Sequence, residues 1–253
     1  MQNKTAIVTG GAQGIGKAIA FEFLKHGMRV AVLDMDPEAL DEIQAEANTA
    51  KNLLCLNCDI SEESNIVRAV ADTVNTFGRL DVLVNNAAYG QVPYGPFENM
   101  GLDEWNQAIK VNLTGPLLMT KYCVPHLFLT TGCVVNIAAV LALQPEPHCE
   151  AAAASKSGLI GLTRALAASL APRVRVNAVS PGWIEVGPWK KTSLRQYPPH
   201  SLAECNHHPV GRVGTPQDVA ALVVFLASEQ SSFITGQNFV VDGGVTKRAL
   251  FPQ

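Results

Sequence analysis

Short apolar runs alternate with segments of helical periodicity along almost the whole chain. The strand-like runs are 5–8, 29–33, 53–58, 82–84, 134–137, 175–179 and 239–241. The helical segments are 14–26, 37–48, about 61–77, 102–129, 151–170 and 216–227. Because continuous apolar strands separated by helices are typical of a parallel sheet covered on both faces, the pattern predicts an α/β fold. We expect a doubly wound, seven-stranded, mostly parallel sheet.

Two local features refine this prediction. Asp36 precedes Pro37 and is expected to cap the second helix, while Pro116 and Pro125 are expected to kink the helix over 102–129. The stretch 181–210 has no periodicity and is rich in Pro, and loops this long are usually functional lids. The chain is therefore expected to form one domain over 1–253 with a substrate lid over about 183–210.

Composition narrows the classes of function. Of the 253 residues, 47% are apolar and 16% are charged, and the net charge is −3. The acidic balance gives no reason to expect binding to nucleic acid. No apolar run approaches the roughly 20 residues of a membrane span, so no membrane partner is expected. Since the first four residues lead directly into a strand, we expect no signal peptide and a cytoplasmic protein.

Cysteine and histidine give weak metal signals. Cys55 and Cys58 have the C-x-x-C spacing, but they lie on a predicted strand, where positions three apart point to opposite faces. Cys205, His207 and His208, with His200 nearby, are the other metal-like group. We interpret the first pair as small buried residues and the second group as polar loop residues near a pocket, and we expect no metal.

The first strand runs into a glycine-rich turn. Gly10, Gly14 and Gly16 lie between that strand and the following helix, which is the context of a dinucleotide-binding loop. Glycine lets the backbone approach a pyrophosphate, and the N–H groups at the start of the helix then face the anion. Asp34 follows the second strand, where an acidic side chain takes the ribose hydroxyls and repels a 2′-phosphate. The sequence therefore favours NAD(H) over NADP(H).

Further motifs resemble those of the short-chain dehydrogenase/reductases over nearly the whole chain. The matching motifs are the glycine turn, Asp59, Asn85-Asn86-Ala87-Ala88, Asn112, Asn136-Ile137, Ala154-Ser155-Lys156, Ser180-Pro181-Gly182, Gly211-Arg212-x-Gly214-x-Pro216-x-Asp218 and Val241-Asp242-Gly243-Gly244. The resemblance implies a Rossmann-type domain, usually tetrameric, that transfers hydride between NAD(P) and an alcohol or carbonyl. It implies a homotetramer here, with the helices over 102–129 and 151–170 pairing between subunits.

The resemblance also implies residue roles. Asp59 and Ile60 would flank the adenine, Lys156 would bond the nicotinamide ribose, and Asn112 would hold a water that passes protons to Lys156. The positions assigned to the cofactor are Gly10, Gln13, Gly14, Ile15, Gly16, Asp34, Met35, Asp59, Ile60, Asn86, Ala87, Ala88, Lys156, Pro181, Gly182 and Ile184.

The pattern breaks at the groups that would touch the reacting oxygen. The family's proton donor is a Tyr four residues before the Lys, and here that residue is Ala152. The family's Ser lies thirteen residues before the Tyr, and here that residue is Ala139. Val186 stands where many members carry a Thr. General acid catalysis contributes typically ~10² to 10⁴ in rate, so either alanine alone would nearly silence the enzyme.

Two explanations remain open. The chain is either an inactivated variant of a dehydrogenase whose parent carries Ser and Tyr, or a natural non-catalytic relative that binds NAD(H) as a sensor or scaffold. We favour the first, because alanine is the usual truncation residue and the rest of the motif is intact. The substrate would be a cyclic, bulky or sugar-like secondary alcohol or its ketone. Its predicted wall residues are Tyr89, Tyr94, Leu141, Leu143, Gln144, His148, Trp183 and Trp189.

Overall fold

The computed structural model of the chain describes residues 1–47, 51–90 and 96–247 and contains one seven-stranded sheet. Its strands are β1 (Thr5–Thr9), β2 (Arg29–Asp34), β3 (Leu53–Asn57), β4 (Val82–Asn85), β5 (Cys133–Ile137), β6 (Arg175–Pro181) and β7 (Asn238–Val241). All neighbours pair in parallel, in the order β3-β2-β1-β4-β5-β6-β7. The predicted fold class is confirmed: a single Rossmann-type α/β domain.

Helices cover both faces of this sheet. They are α1 (Gly14–Lys25), α2 (Pro37–Glu46), α3 (Glu63–Phe77), α4 (Leu102–Ile109), α5 (Gly115–Thr130), α6 (Glu150–Leu170), α7 (Leu202–His207) and α8 (Pro216–Ala227). One core cluster lies under α1, α2 and α8, and the other lies under α3, α5 and α6. Strand side chains alternate between them: Ala6 and Val8 face the first, and Ile7 faces the second. In the described part of the chain, no helix combines the length and apolarity needed to cross a membrane.

The helix predicted over 102–129 is present, but it consists of two α-helices joined without a break by a π-helical segment. A π-helical segment, Lys110–Thr114, separates α4 from α5, and Gly115 N–H bonds the Lys110 carbonyl five residues back. Pro116 lies directly after this turn and has no N–H of its own to return to Asn112, which allows the wider turn. Pro125 lies inside α5 without ending it. The expected distortion is therefore present, but it precedes Pro116 and turns Asn112 into the interior, where it is 1% exposed.

The predicted lid is more structured than its composition suggested. Between β6 and α8 the chain forms two short 3₁₀ turns and then α7. Ser201 caps α7, because its Oγ accepts from Glu204 N–H at 3.2 Å and the Glu204 carboxylate accepts from Ser201 N–H at 2.7 Å. This Ser-x-x-Glu signature was present in the sequence, and it was the signal that would have found the helix.

The strand order reverses between β1 and β4, which are adjacent although their connections leave in opposite directions. In open parallel sheets, ligands bind beyond the carboxyl ends of the strands at such a switch point. The glycine turn after β1 and Asn86-Ala87 after β4 meet here, since a Cβ on Gly10 would lie 2.8 Å from Ala87 Cα. The crevice between them is the first place to look for a functional site.

Candidate active site

The glycine turn is shaped to receive an anion. Gly14 has φ +56°, in the left-handed region, and a Cβ on Gly16 would collide with the Gly10 carbonyl oxygen and lie 2.5 Å from Asn86 Nδ2. Gln13 occupies the N-cap of α1 in extended conformation and places no side-chain cap on the helix. The first N–H groups of α1 are thus open toward the crevice, as a bound pyrophosphate requires.

Asn86 braces the turn from the neighbouring strand. Its Nδ2 donates to the carbonyls of Thr9 at 2.9 Å and Gly10 at 3.0 Å. Thr9 Oγ1 in turn accepts from the backbone N–H groups of Asn86 and Ala87, both at 3.0 Å. These bonds join the ends of β1 and β4, so Asn86 shapes the loop that its predicted role would place beside the cofactor.

Asp34 ends β2 and faces the glycine turn. One carboxylate oxygen accepts from Ala12 N–H at 3.1 Å, and the other accepts from Asp36 N–H at 3.1 Å. Burial raises the pKa of Asp34 above its ordinary value, while these N–H donors oppose the rise. The side chain is held at the place where the ribose hydroxyls of an adenosine would lie.

Ion pairs join the predicted lid to Asp36 and Glu38, which follow β2. Lys191 Nζ lies 2.8 Å from Asp36 and 2.7 Å from Glu38. These carboxylates raise the pKa of Lys191 above its usual range. Lys191 N–H also donates to Gln13 Oε1 at 3.0 Å. The segment therefore lies over the edge of the crevice beside the glycine turn, and its Lys191 is paired with two carboxylates.

The remaining predicted cofactor positions surround the crevice. Asp59 follows β3 and accepts from Ser61 N–H at 2.8 Å, and Ile60 is buried against Gly115. Met35 and Ala88 are exposed, so a bound cofactor could reach them. The positions that lie at the glycine turn or at the end of β6 are Ile15, Pro181, Gly182 and Ile184.

Lys156 lies in α6 and reaches the end of β5. Its Nζ donates to the Ile137 carbonyl at 2.7 Å, and the residue is only 8% exposed. Burial lowers the pKa of Lys156 to about 8, because removing the ammonium from water disfavours its charged form. Its contact in this structure is thus to the protein backbone, at the position where the family's lysine would meet the ribose.

Asn112 is held from two sides. Its Oδ1 accepts from Tyr89 N–H at 2.7 Å, and its Nδ2 donates to Ser155 Oγ at 3.1 Å. Ser155 Oγ donates to the Ala152 carbonyl at 3.0 Å. Asn112 therefore connects the loop after β4 to the first turns of α6, next to Ala152.

Ala139 and Ala152, which the motif spacing aligns with the family's Ser and Tyr, lie just after the end of β5 and in the first turn of α6. Ala139 follows β5 in extended backbone, and Ala152 is one helical turn before Lys156; both are half-buried. A methyl group neither donates nor accepts a proton. This arrangement can orient a carbonyl and a cofactor, but the two positions supply no hydroxyl for the oxygen that gains charge when hydride arrives.

A buried polar network under the site was missed by sequence reasoning. Asn85 Nδ2 donates to Asn136 Oδ1 at 2.8 Å, and Asn136 Nδ2 donates to Thr163 Oγ1 at 2.9 Å. Asn136 and Thr163 are at most 1% exposed and Asn85 is 2% exposed. The network joins β4, β5 and α6 and so sets the position of Lys156 relative to the glycine turn. The asparagines at strand ends were the signal, but their partners are distant in sequence.

A cavity of about 670 Å³ opens beside these positions, a size typical of small-molecule sites. Its lining residues are Val140, Glu146, Gly182, Trp183, Ala203, Glu204, His207, His208 and Val245. Trp183 and Gly182 are the predicted site residues that it brings together, and the contributions of Ala203 and Glu204 from α7 were missed. His207 and His208 belong to the histidine cluster interpreted as polar pocket residues, and they do line the cavity. Among the described residues, no group of three or more His, Cys, Asp or Glu is arranged to hold a metal ion.

Other predicted wall residues lie elsewhere. The Trp189 ring packs on Phe21 of α1, with ring centroids 6.4 Å apart, and is not part of the cavity lining. Leu141, Gln144 and His148 belong to the segment that follows β5, where Gln144 and His148 are exposed and the lining residues are Val140 and Glu146. Their substrate contacts stay predictions. Tyr94 lies outside the described residues.

The cysteine pair behaves as interpreted. Cys55 is half-buried in β3, and Cys58 is 3% exposed and packs in the second core cluster. Burial raises the pKa of both thiols to about 11, so both are protonated at neutral pH.

The fold and this site define an α/β protein of the dinucleotide-binding class, and comparison with known proteins narrows it. A family model described as Enoyl-(Acyl carrier protein) reductase matches residues 10–246. An uncharacterized oxidoreductase of Thermotoga maritima is 43% identical, with both chains fully covered. Glucose 1-dehydrogenase 2 of Bacillus subtilis is 36% identical over 100% of this chain and 97% of its own.

A solved structure agrees with these relatives. The 3-ketoacyl-(acyl-carrier-protein) reductase from Brucella melitensis, complexed with NADH, superposes with a TM-score of 0.86 at 31% identity, covering 97% of this chain and 99% of its own. The chain belongs to the short-chain dehydrogenase/reductase family of oxidoreductases.

Proposed function

We propose that the protein binds NAD(H) and a secondary alcohol or its ketone in the geometry of a dehydrogenase, and that its turnover is nearly abolished by Ala139 and Ala152. The observation that carries this proposal is the combination of a complete cofactor cradle with two methyl groups beside a buried Lys156. The glycine turn, the open α1 terminus and Asp34 fit a dinucleotide. When bound, that cofactor would supply or accept the hydride.

The preference for NAD(H) rests on charge. Asp34, Asp36 and Glu38 place three carboxyl groups at the adenosine side, and Lys191 lies within 2.8 Å of two of them. A 2′-phosphate would add negative charge to this group, whereas ribose hydroxyls can donate to Asp34. We therefore expect NADH to bind far more tightly than NADPH. A calorimetric titration in which NADPH binds equally well would refute this assignment.

The chain's own residues would orient the reactants. Lys156 is placed to bond the nicotinamide ribose once it exchanges the Ile137 carbonyl for a ribose hydroxyl. Asn112 and Ser155 hold the first turn of α6 in place. Gly182 and Val140 line the cavity where a substrate would meet the cofactor. With Tyr at 152 the proton would pass between substrate oxygen and phenol beside Lys156; with Ala152 it has no such donor.

The substrate class draws on the relatives' names and on the cavity. One relative is a glucose 1-dehydrogenase and another is a trans-4-hydroxycyclohexanecarboxylate dehydrogenase, and both names describe ring alcohols. The cavity here is lined by an indole, two imidazoles and two carboxylates, which suits a bulky or cyclic secondary alcohol.

A non-catalytic NAD(H)-binding sensor or scaffold is the second candidate, favoured by the same two alanines. Introducing hydroxyl groups at 139 and 152 distinguishes the dehydrogenase from the sensor or scaffold. Ala139→Ser with Ala152→Tyr is expected to raise NAD-linked oxidation of a secondary alcohol by at least ~10²-fold, followed by NADH absorbance across an alcohol panel. Ala152→Tyr with Ala139 retained is the matched control and should recover only part of the rate. If the double variant binds NADH but oxidises no alcohol of the panel, the sensor or scaffold role gains support.

We also propose that the protein is a homotetramer and that it lies in the cytoplasm. Leu102, Leu117 and Leu129 are exposed apolar residues on α4 and α5, and they support a homotetramer that pairs these helices between subunits. A sedimentation mass near 27 kDa, the mass of one chain, would refute it. We place the protein in the cytoplasm, where NAD(H) is available, which cell fractionation would test.

A further inference from the structure

His208 has a buried ring nitrogen without a partner. The residue is 2% exposed, and its Nδ1 lies 3.0 Å from the Glu204 carbonyl oxygen. A carbonyl oxygen only accepts, so in the neutral imidazole Nδ1 carries the proton and Nε2 is a bare acceptor. Within the described residues, Nε2 is one of four buried side-chain polar atoms with no hydrogen-bond partner. A buried acceptor without a donor destabilises the folded state, and a ligand that supplies the donor relieves this.

His208 is also part of the cavity wall. It lines the cavity with Trp183 and His207, whose rings lie 6.0 and 5.5 Å from its own. Trp183 is 44% exposed and also lines the cavity, so its indole offers an apolar face for a ring beside the His208 imidazole.

The charges around the cavity restrict what can enter. Glu146 and Glu204 both line it, and Glu204 accepts from Ser201 N–H and Oγ at 2.7 and 2.9 Å. These bonds lower the pKa of Glu204, which keeps it anionic. No Lys or Arg appears among the lining residues that the structure describes. A carboxylate or phosphate on the substrate would therefore be repelled, whereas hydroxyl groups can donate to Glu146.

The cavity wall includes the chain neighbours of two predicted site residues, Ala139 and Pro181. Val140 directly follows Ala139, and Gly182 directly follows the predicted nicotinamide contact Pro181. A ring-sized alcohol can thus present one carbinol at this end and a second hydroxyl to α7. From these observations we propose that the cavity selects an uncharged polyol, and that one substrate hydroxyl other than the reacting one donates to His208 Nε2. This inference rests on the proposed function, because it names the substrate class of the same site.

The test measures binding to the full chain saturated with NADH. Two ligand pairs separate the contributions: D-glucose against D-glucuronate for charge, and cyclohexane-1,4-diol against cyclohexanol for the second hydroxyl. Binding is followed by calorimetry and by the ¹⁵N resonances of the His208 ring. We expect both uncharged polyols to bind, each more tightly than its partner, and to shift the His208 Nε2 resonance more than that of His207.

Substitutions assign the effect to one nitrogen. His208→Asn retains a donor at the place of Nδ1 for the Glu204 carbonyl but removes the acceptor at Nε2, and it should weaken polyol binding about three- to tenfold. His208→Gln places an amide near the position of Nε2 and should recover most of the affinity. His26→Asn is the matched control, because His26 Nδ1 lies 2.8 Å from the Glu22 carbonyl oxygen in the same i−4 arrangement but His26 is not among the lining residues of the cavity, and it should bind polyols as the unsubstituted chain does. NADH affinity, measured for each variant, shows that the fold is intact.

The outcomes separate this inference from the proposed function. Failure of the unsubstituted chain to bind NADH would refute the proposed function itself. NADH binding without polyol binding, or D-glucuronate binding as tightly as D-glucose, would overturn the substrate class. Equal polyol affinity in His208→Asn and the unsubstituted chain would overturn the role of His208.

Discussion

Lys156 offers a test of whether the site is held at the expense of stability. The side chain is 8% exposed, and its Nζ donates a hydrogen bond to the Ile137 carbonyl at 2.7 Å. Burial lowers its pKa from the ordinary 10.5 to about 8. Lys156→Met keeps a long unbranched side chain in α6 and removes the charge. We predict that this variant is more stable than the unsubstituted chain at pH 7.

The magnitude follows from the pKa difference. Each pH unit between the unfolded and folded pKa corresponds to about 1.4 kcal/mol, so holding Lys156 in place costs about 3 kcal/mol at pH 7. Loss of the bond to Ile137 offsets about 1 kcal/mol of the gain. The net stabilisation of Lys156→Met is therefore about 2 kcal/mol, which raises the Tm of a chain this long by roughly 4–8 °C.

The two pKa values of Lys156 fix the direction in which stability changes with pH. The unfolded lysine titrates near 10.5 and the folded one near 8, so between these values the unfolded chain binds more protons. The free energy of unfolding of the unsubstituted chain consequently rises with pH in this window. The advantage of Lys156→Met should fall from about 2 kcal/mol at pH 7 to near zero at pH 10, because the methionine does not titrate.

The assay is urea unfolding of both proteins at pH 7, 8, 9 and 10, at one protomer concentration because assembly also affects stability. Lys17→Met is the matched control. Lys17 is 3% exposed but lies 2.8 Å from Glu46, so removing it breaks an ion pair and should lower stability at each pH. A Lys156→Met variant that is less stable at pH 7, or whose advantage does not change with pH, would refute the reasoning.

Three further outcomes are expected. Gly16→Ala should reduce NADH affinity at least ~100-fold with the fold retained by circular dichroism, because its Cβ would displace Gly10 and Asn86; unchanged affinity would contradict the cradle. Asp34→Ser should narrow the ratio of NADPH to NADH dissociation constants about tenfold, measured by calorimetry, whereas an unchanged ratio would exclude Asp34 as the selector. Asp218→Ala should lower stability by ~1 kcal/mol at pH 7, since Arg212 and the Thr215 N–H hold the pKa of Asp218 well below its usual range. That stability is present above an ordinary aspartate pKa and is lost as the pH falls through the lowered one, so the variant's deficit should shrink in acid.

The order of the sheet and its helices followed from local pattern. The five inner strands are largely buried apolar runs, whereas β3 and β7 at the edges of the sheet are only partly buried. Some helices begin at a local signal, such as the Asp36 side chain before α2, which accepts from Ala39 N–H at 3.2 Å. Information of this kind lies within a few residues, so a single sequence carries it. The sequence analysis did not predict the π segment before Pro116 or the short helix after Ser201, because their signals were local but weak.

The sequence predicted one part of the candidate site and not the other. The glycine turn, Asp34 and Lys156 occupy fixed positions within motifs, and the structure brings them to one edge of the sheet. The cavity wall could not be predicted in this way, because Glu146, Trp183 and His208 come from three separate segments. Their proximity depends on how the lid packs, and Lys191 bonding to Asp36 across the crevice is a contact between residues 155 positions apart.

The groups around Ala139 and Ala152 make hydrogen bonds that need no hydroxyl at either position. Lys156 is held by the Ile137 carbonyl, Asn112 is held by Tyr89 N–H and Ser155, and the first turn of α6 is held by Ser155. Alanine at 139 and 152 supplies no group to stabilise charge on a substrate oxygen, while the side chains around these positions keep their own hydrogen bonds. Interactions that act only on the transition state can be lost without loss of ground-state binding. We expect a complex with NAD⁺ and a polyol to persist, because a carbinol that gives its hydride to NAD⁺ must also lose its hydroxyl proton, and positions 139 and 152 supply no group to accept it.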